Sequence, residues 1–109
     1  MKSKIIKVPI YLSNILVINT LDYKDVNAFY GTDIDESLYS AVVFEDKKGK
    51  IVLAIQEKRL DIIAHEIVHI VNMIFKRCGV QLDLDNDEPQ AYLTGYIFKE
   101  VIKFIDYEN

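Results

Sequence analysis

The stretch RLDIIAHEIVHIVNMIFKRC, residues 59–78, carries the clearest single period in the chain. Leu60, Ile63, Ile67, Ile70, Val71 and Ile74 recur at three- and four-residue spacings, the mark of a helix with one apolar face. Gly79 follows at once and suits a left-handed C-terminal cap, so the spacing predicts a helix over about 59–78. Next comes a polar loop, Gln81 to Asp87. Asp87 and Gln90 stand at capping-box spacing, and Pro89 sits in a first turn where its missing N–H does no harm. A second helix is therefore expected over about 87–107, with Leu93, Ile97, Val101 and Phe104 or Ile105 on one face.

Upstream the period changes. Lys4 to Val8 and Ile15 to Ile18 are short β-rich runs, and Tyr23 to Tyr30 reads as a brief helix stopped by Gly31. Ser40 to Glu45 and Ile51 to Gln56 form a hairpin pattern around Asp46-Lys47-Lys48-Gly49-Lys50, whose glycine supplies a positive φ. Residues from about 4 to 57 thus read as a small antiparallel sheet. The expected class is α+β, a small antiparallel sheet followed by two packed helices in one domain spanning 1–109.

With 109 residues there is room for one core only. A formal charge of −4 argues against nucleic acid, whose binding normally leaves a basic footprint. The apolar run from Val8 to Ile18 is broken by Pro9, Ser13 and Asn14 and falls short of the roughly 20 residues that span a bilayer, so no membrane partner is expected. Lys2, Lys4 and Lys7 resemble a basic leader, but no small-residue cleavage site follows. The single cysteine, Cys78, forms no internal disulfide and reads as a small buried residue. These features lead to the expectation of a soluble, cytoplasmic protein.

The two histidines of the chain are His65 and His69, within His65-Glu66-Ile67-Val68-His69. Four residues apart on a helix, they share a face one turn apart, where one tetrahedral Zn²⁺ can take both at about 2.0–2.1 Å. Glu66 is rotated by about 100° from His65, which lets it lean toward the metal's open side and accept a proton from the activated water without ligating. This is the H-E-x-x-H pattern of zinc metallopeptidases, and it lies inside the strongest helical segment. With two histidines in the chain the third ligand must be Asp, Glu, Cys or Tyr, and Phe75 stands where the extended motif has its third histidine. Glu88, opening the second helix 19 residues after His69, is the favoured carboxylate, with Asp85, Asp87 and Glu100 as competitors.

His65-Glu66-x-x-His69 followed by Glu88-Pro89-Gln90-Ala91 resembles the gluzincins, zinc metallopeptidases in which a helix-borne Glu is the third ligand. More narrowly, AHEIVHIVNMIF and DNDEPQAYLTGYI resemble small zinc peptidases of phage and prophage genomes, over roughly residues 40–105. The resemblance implies a minimal zincin-like domain with zinc on His65, His69 and Glu88, and Glu66 as catalytic base. It departs from thermolysin-like enzymes at Tyr92, where those place an Asp that orients a ligand histidine.

The expected activity is peptide-bond hydrolysis of a peptide or protein substrate, held along an edge strand that is either Ser40–Glu45 or Ile51–Gln56. Two alternatives stand beside it: a catalytically silent zinc-binding or protein-interaction module, and a regulatory protease resembling those that cleave repressors of mobile elements. Tyr92 and Tyr96 are candidates for contact with a tetrahedral intermediate, although packing is the usual role of such tyrosines. Asn72, one turn past His69, is a candidate for supporting the metal. Asp83-x-Asp85-x-Asp87 begins like a calcium loop but lacks its Gly and terminal Glu, so a solvated capping loop is expected. So small a domain leaves the groove open, with an oligomer or partner to complete it.

Overall fold

The computed structural model describes residues 1–108, and side chains through residue 106. The elements follow as β1 (Lys2–Val8), β2 (Ser13–Asn19), α1 (Lys24–Tyr30), β3 (Ala41–Glu45), β4 (Ile51–Ile55), α2 (Leu60–Cys78) and α3 (Glu88–Glu108). The strands lie in the order β1-β2-β4-β3.

The α+β class and the two helices after the sheet agree with the sequence reading, but the sheet is mixed rather than wholly antiparallel. β1–β2 and β3–β4 are antiparallel, whereas β2 and β4 run parallel, Val17 opposite Leu53. The reason is topological. After β2 the chain crosses through α1, lays down β3 at the far edge and turns back, so β4 fills the gap beside β2 in the same direction. β4 thereby becomes central, and all five of its residues are buried.

The period of two sorts the core into two layers. Ile15, Val17, Ile51, Leu53 and Ile55 face α2 and α3, joined by Ile63, Ile67, Ile70 and Ile74 from α2 and Leu93, Ile97 and Val101 from α3. Ile18, Val52 and Ala54 face the opposite way and pack with Tyr23 and Val26 around α1. Fully burying each such aliphatic side chain is worth about 1.5–3 kcal/mol, so the larger layer is what fixes α2 on the sheet.

Gly79 ends α2 at φ 70°, and Val80 N–H returns to the Phe75 carbonyl, closing the helix as the sequence predicts. Asp87 accepts the N–H of Ala91, the first backbone bond of α3. Lys58 pairs with Asp106, which sets the far end of α3 beside the start of α2. Arg77 at the other end of α2 pairs with Glu45 and donates to the Gly49 carbonyl. Cys78 is exposed at this end rather than buried, because it follows the last core-facing turn of α2. No helix among the described residues is long and apolar enough to cross a membrane.

Candidate metal centre

α2 buries Ile63, Ile67, Ile70 and Ile74, and this choice of face decides where its polar residues go. His65 and His69 turn to solvent, while Glu66 lies to one side, half-buried against the sheet edge. The two Nε2 atoms converge to 3.2 Å, with the rings 77° apart. Two nitrogens at 2.0–2.1 Å from one tetrahedral ion stand about 3.3–3.4 Å apart, so the imidazole pair already has the spacing of two zinc ligands.

Glu66 faces β3, where the Val43 N–H points at its carboxylate. Burial raises its pKa above the usual carboxylate range, against the opposing pull of His69, then His65, then the Val43 N–H. A carboxyl so placed is suited to taking up a proton. Val43, Glu66, His69, Asn72, Met73 and Lys76 line one hollow of about 490 Å³, open along the β3 edge. The Asn72 Oδ1 in its wall is buried with no hydrogen-bond partner among the described residues.

Other candidates stand elsewhere. Among the described residues no group of three His, Cys, Asp or Glu side chains is gathered tightly enough to hold a metal, so Glu88 does not join the histidines, nor do Asp85, Asp87 or Glu100. The cause is helix length. From Asp106, which sits beside Lys58, Glu88 is about 27 Å up α3, whereas His69 is only about 14 Å up α2 from its start. α2 runs nine residues past His69, which carries the first turn of α3 toward its far end. Glu88 is exposed there, as is Tyr92. The Tyr96 hydroxyl donates to the Lys7 carbonyl at 2.9 Å and ties α3 to β1. Asp85 N–H bonds the Asp83 carboxylate, so the acidic loop closes on itself as a turn. One Glu100 oxygen is buried with no hydrogen-bond partner among the described residues.

Val43, Met73 and Lys76 were not legible as site residues in the sequence reading. Met73 and Lys76 carry a signal, since they follow His69 by four and seven residues and so share its stripe. Val43 carries none, because only strand pairing brings it to Glu66. No family model matches the chain, and no curated protein or solved structure matches it either.

Proposed function

We propose that this protein is a zinc-dependent peptidase of gluzincin type. The observation that carries the reading is the 3.2 Å convergence of the His65 and His69 Nε2 atoms beside a half-buried glutamate on an open sheet edge. His65 and His69 would hold the metal, with Glu88 as the third ligand that the sequence pattern calls for. Glu88 stands apart from the two histidines in the structure, so this role requires the first turn of α3 to move toward them. Zinc held there would supply Lewis acidity toward water and toward a peptide carbonyl.

The chain's own residues do the rest. Glu66 accepts the proton of the attacking water and passes it to the leaving amine. β3 is hydrogen-bonded on one side only, and its free edge can pair with an extended peptide above the histidines.

Zinc content of the purified protein and of His65→Ala, His69→Ala and Glu88→Ala tests the ligand set: one equivalent in the parent and loss in each variant is expected. Equal zinc in Glu88→Ala and the parent removes Glu88 from it. Cleavage of an unbiased peptide library, read by mass spectrometry for the parent and Glu66→Gln, tests the chemistry. If both proteins hold zinc and neither cuts, the site is a silent metal-binding module.

A further inference from the structure

We propose, resting on the peptidase reading, that Lys76 makes the cleft selective for an acidic side chain on the N-terminal side of the scissile bond. Lys76 lines the same hollow as Glu66 and His69. Seven residues are nearly two helical turns, so it stands on the stripe of His69, about 10.5 Å further along α2. Its neighbour Arg77 is engaged with Glu45 at 3.3 Å, while Lys76 has no ion-pair partner among the described residues. Glu66 is the one acid in the lining, and it lies toward the histidines rather than the Lys76 end. Val43 and Met73 give the hollow apolar walls that suit a methylene stem carrying a charged head.

Chain direction decides which side of the bond Lys76 meets. Ser40 Oγ donates to Glu57 before the start of α2, and Glu45 lies at Arg77 near its end, so β3 and α2 run the same way. Antiparallel pairing is the more stable mode for an added strand. A peptide so paired with β3 points its N-terminus toward the C-terminal end of α2. Lys76 then faces residues that precede the cut. At about 3.3 Å per residue of strand, 10.5 Å spans about three of them.

The test uses zinc-loaded full-length protein and matched peptides carrying Glu, Gln or Lys at each of the three positions before the cut. Cleavage is followed by mass spectrometry, and binding of the same peptides is measured with Glu66→Gln. The parent should prefer Glu by about fivefold in kcat/KM at low salt, falling toward unity as salt rises, as for an exposed ion pair. Lys76→Met should level the ratio, and Lys76→Glu should turn it in favour of Lys at the same position. Equal rates for Glu and Gln in the parent overturn the proposal, as does a preference that survives in Lys76→Met. Dependence on a free C-terminal carboxylate beyond the cut overturns it in favour of C-terminal capture. If nothing is cut, yet Glu66→Gln binds the Glu peptide about fivefold tighter through Lys76, the peptidase reading falls and the carboxylate site stands. If nothing is cut and Glu and Gln peptides bind alike, both fall.

Discussion

The sheet has two edges, β1 and β3, and they are finished differently. β1 carries Lys2, Lys4 and Lys7, and α3 closes on its end through the Tyr96–Lys7 hydrogen bond. Charged residues on an edge discourage a further strand, because pairing would strip water from them. β3 reads Ala-Val-Val-Phe-Glu, with no lysine, and its middle residue turns its N–H toward Glu66. A sheet edge is left open or closed by the elements that pack beside it. β3 lies beside the histidine helix, unpaired by a further strand and touched at Val43 by Glu66, and β1 lies beneath a helix that uses it as an anchor.

The largest expected effect separates the two edges by chemistry. Glu66→Gln should lower the peptidase rate by a factor of about 10²–10⁴, the worth of a positioned general base, while zinc content and thermal stability stay near those of the parent. Lys4→Gln on β1 should leave the rate unchanged in the same assay. Equal rates for Glu66→Gln and the parent would break the comparison outright.

Support beneath the edges comes next. Ile70 is fully buried between α2 and the sheet, so Ile70→Ala should cost about 2–5 kcal/mol in denaturant unfolding. Ile5 on β1 is 46% exposed, and Ile5→Ala should cost clearly less. Similar losses at both sites would mean that α2 is not held as the structure shows.

A finer test acts on the backbone of β3. Val43→Pro removes the N–H that faces Glu66 and should lower kcat/KM for peptides about tenfold, the scale of one lost hydrogen bond with its unpaired partner. An undiminished kcat/KM in Val43→Pro would show that the Val43 N–H does not hold Glu66 for the reaction.

The smallest effect lies in the layer on which both edges rest. Among the described residues the Tyr23 hydroxyl is buried with no well-formed hydrogen bond, only the lesser pull of the Gln56 backbone, so Tyr23→Phe should be neutral or stabilising by about 1 kcal/mol. Burial chiefly, then the Glu66 charge, raises the Tyr23 pKa well above its ordinary value, against the Gln56 backbone. Because the folded pKa lies above the unfolded value of about 10, this group's contribution is intact below that pH and is lost as pH rises beyond it. Urea melts of both proteins across the alkaline range should show a flatter profile for Tyr23→Phe, and identical profiles would place the alkaline loss elsewhere.

Much of this molecule is local, and local features are legible. The 3.6-residue period of residues 60–78, the left-handed cap at Gly79 and the pairing of His65 with His69 all follow from one helix and its neighbours in sequence. The parallel β2–β4 pair was not legible, because a parallel partner lies across a long crossover and leaves no turn signature. The place of Glu88 was not legible either. Nineteen residues of separation state how far the chain has travelled, and only the packing of α3 against α2 and β1 states in which direction.

Two amphipathic helices, a hairpin and a pair of imidazoles one turn apart are written in the residues themselves, because backbone sterics and side-chain periodicity act within a few positions. Tertiary structure alone decided that β3 is the open edge, that Val43 meets Glu66 and that Lys76 shares their hollow. Those outcomes depend on which apolar faces are buried against one another, a long-range choice that no single segment encodes.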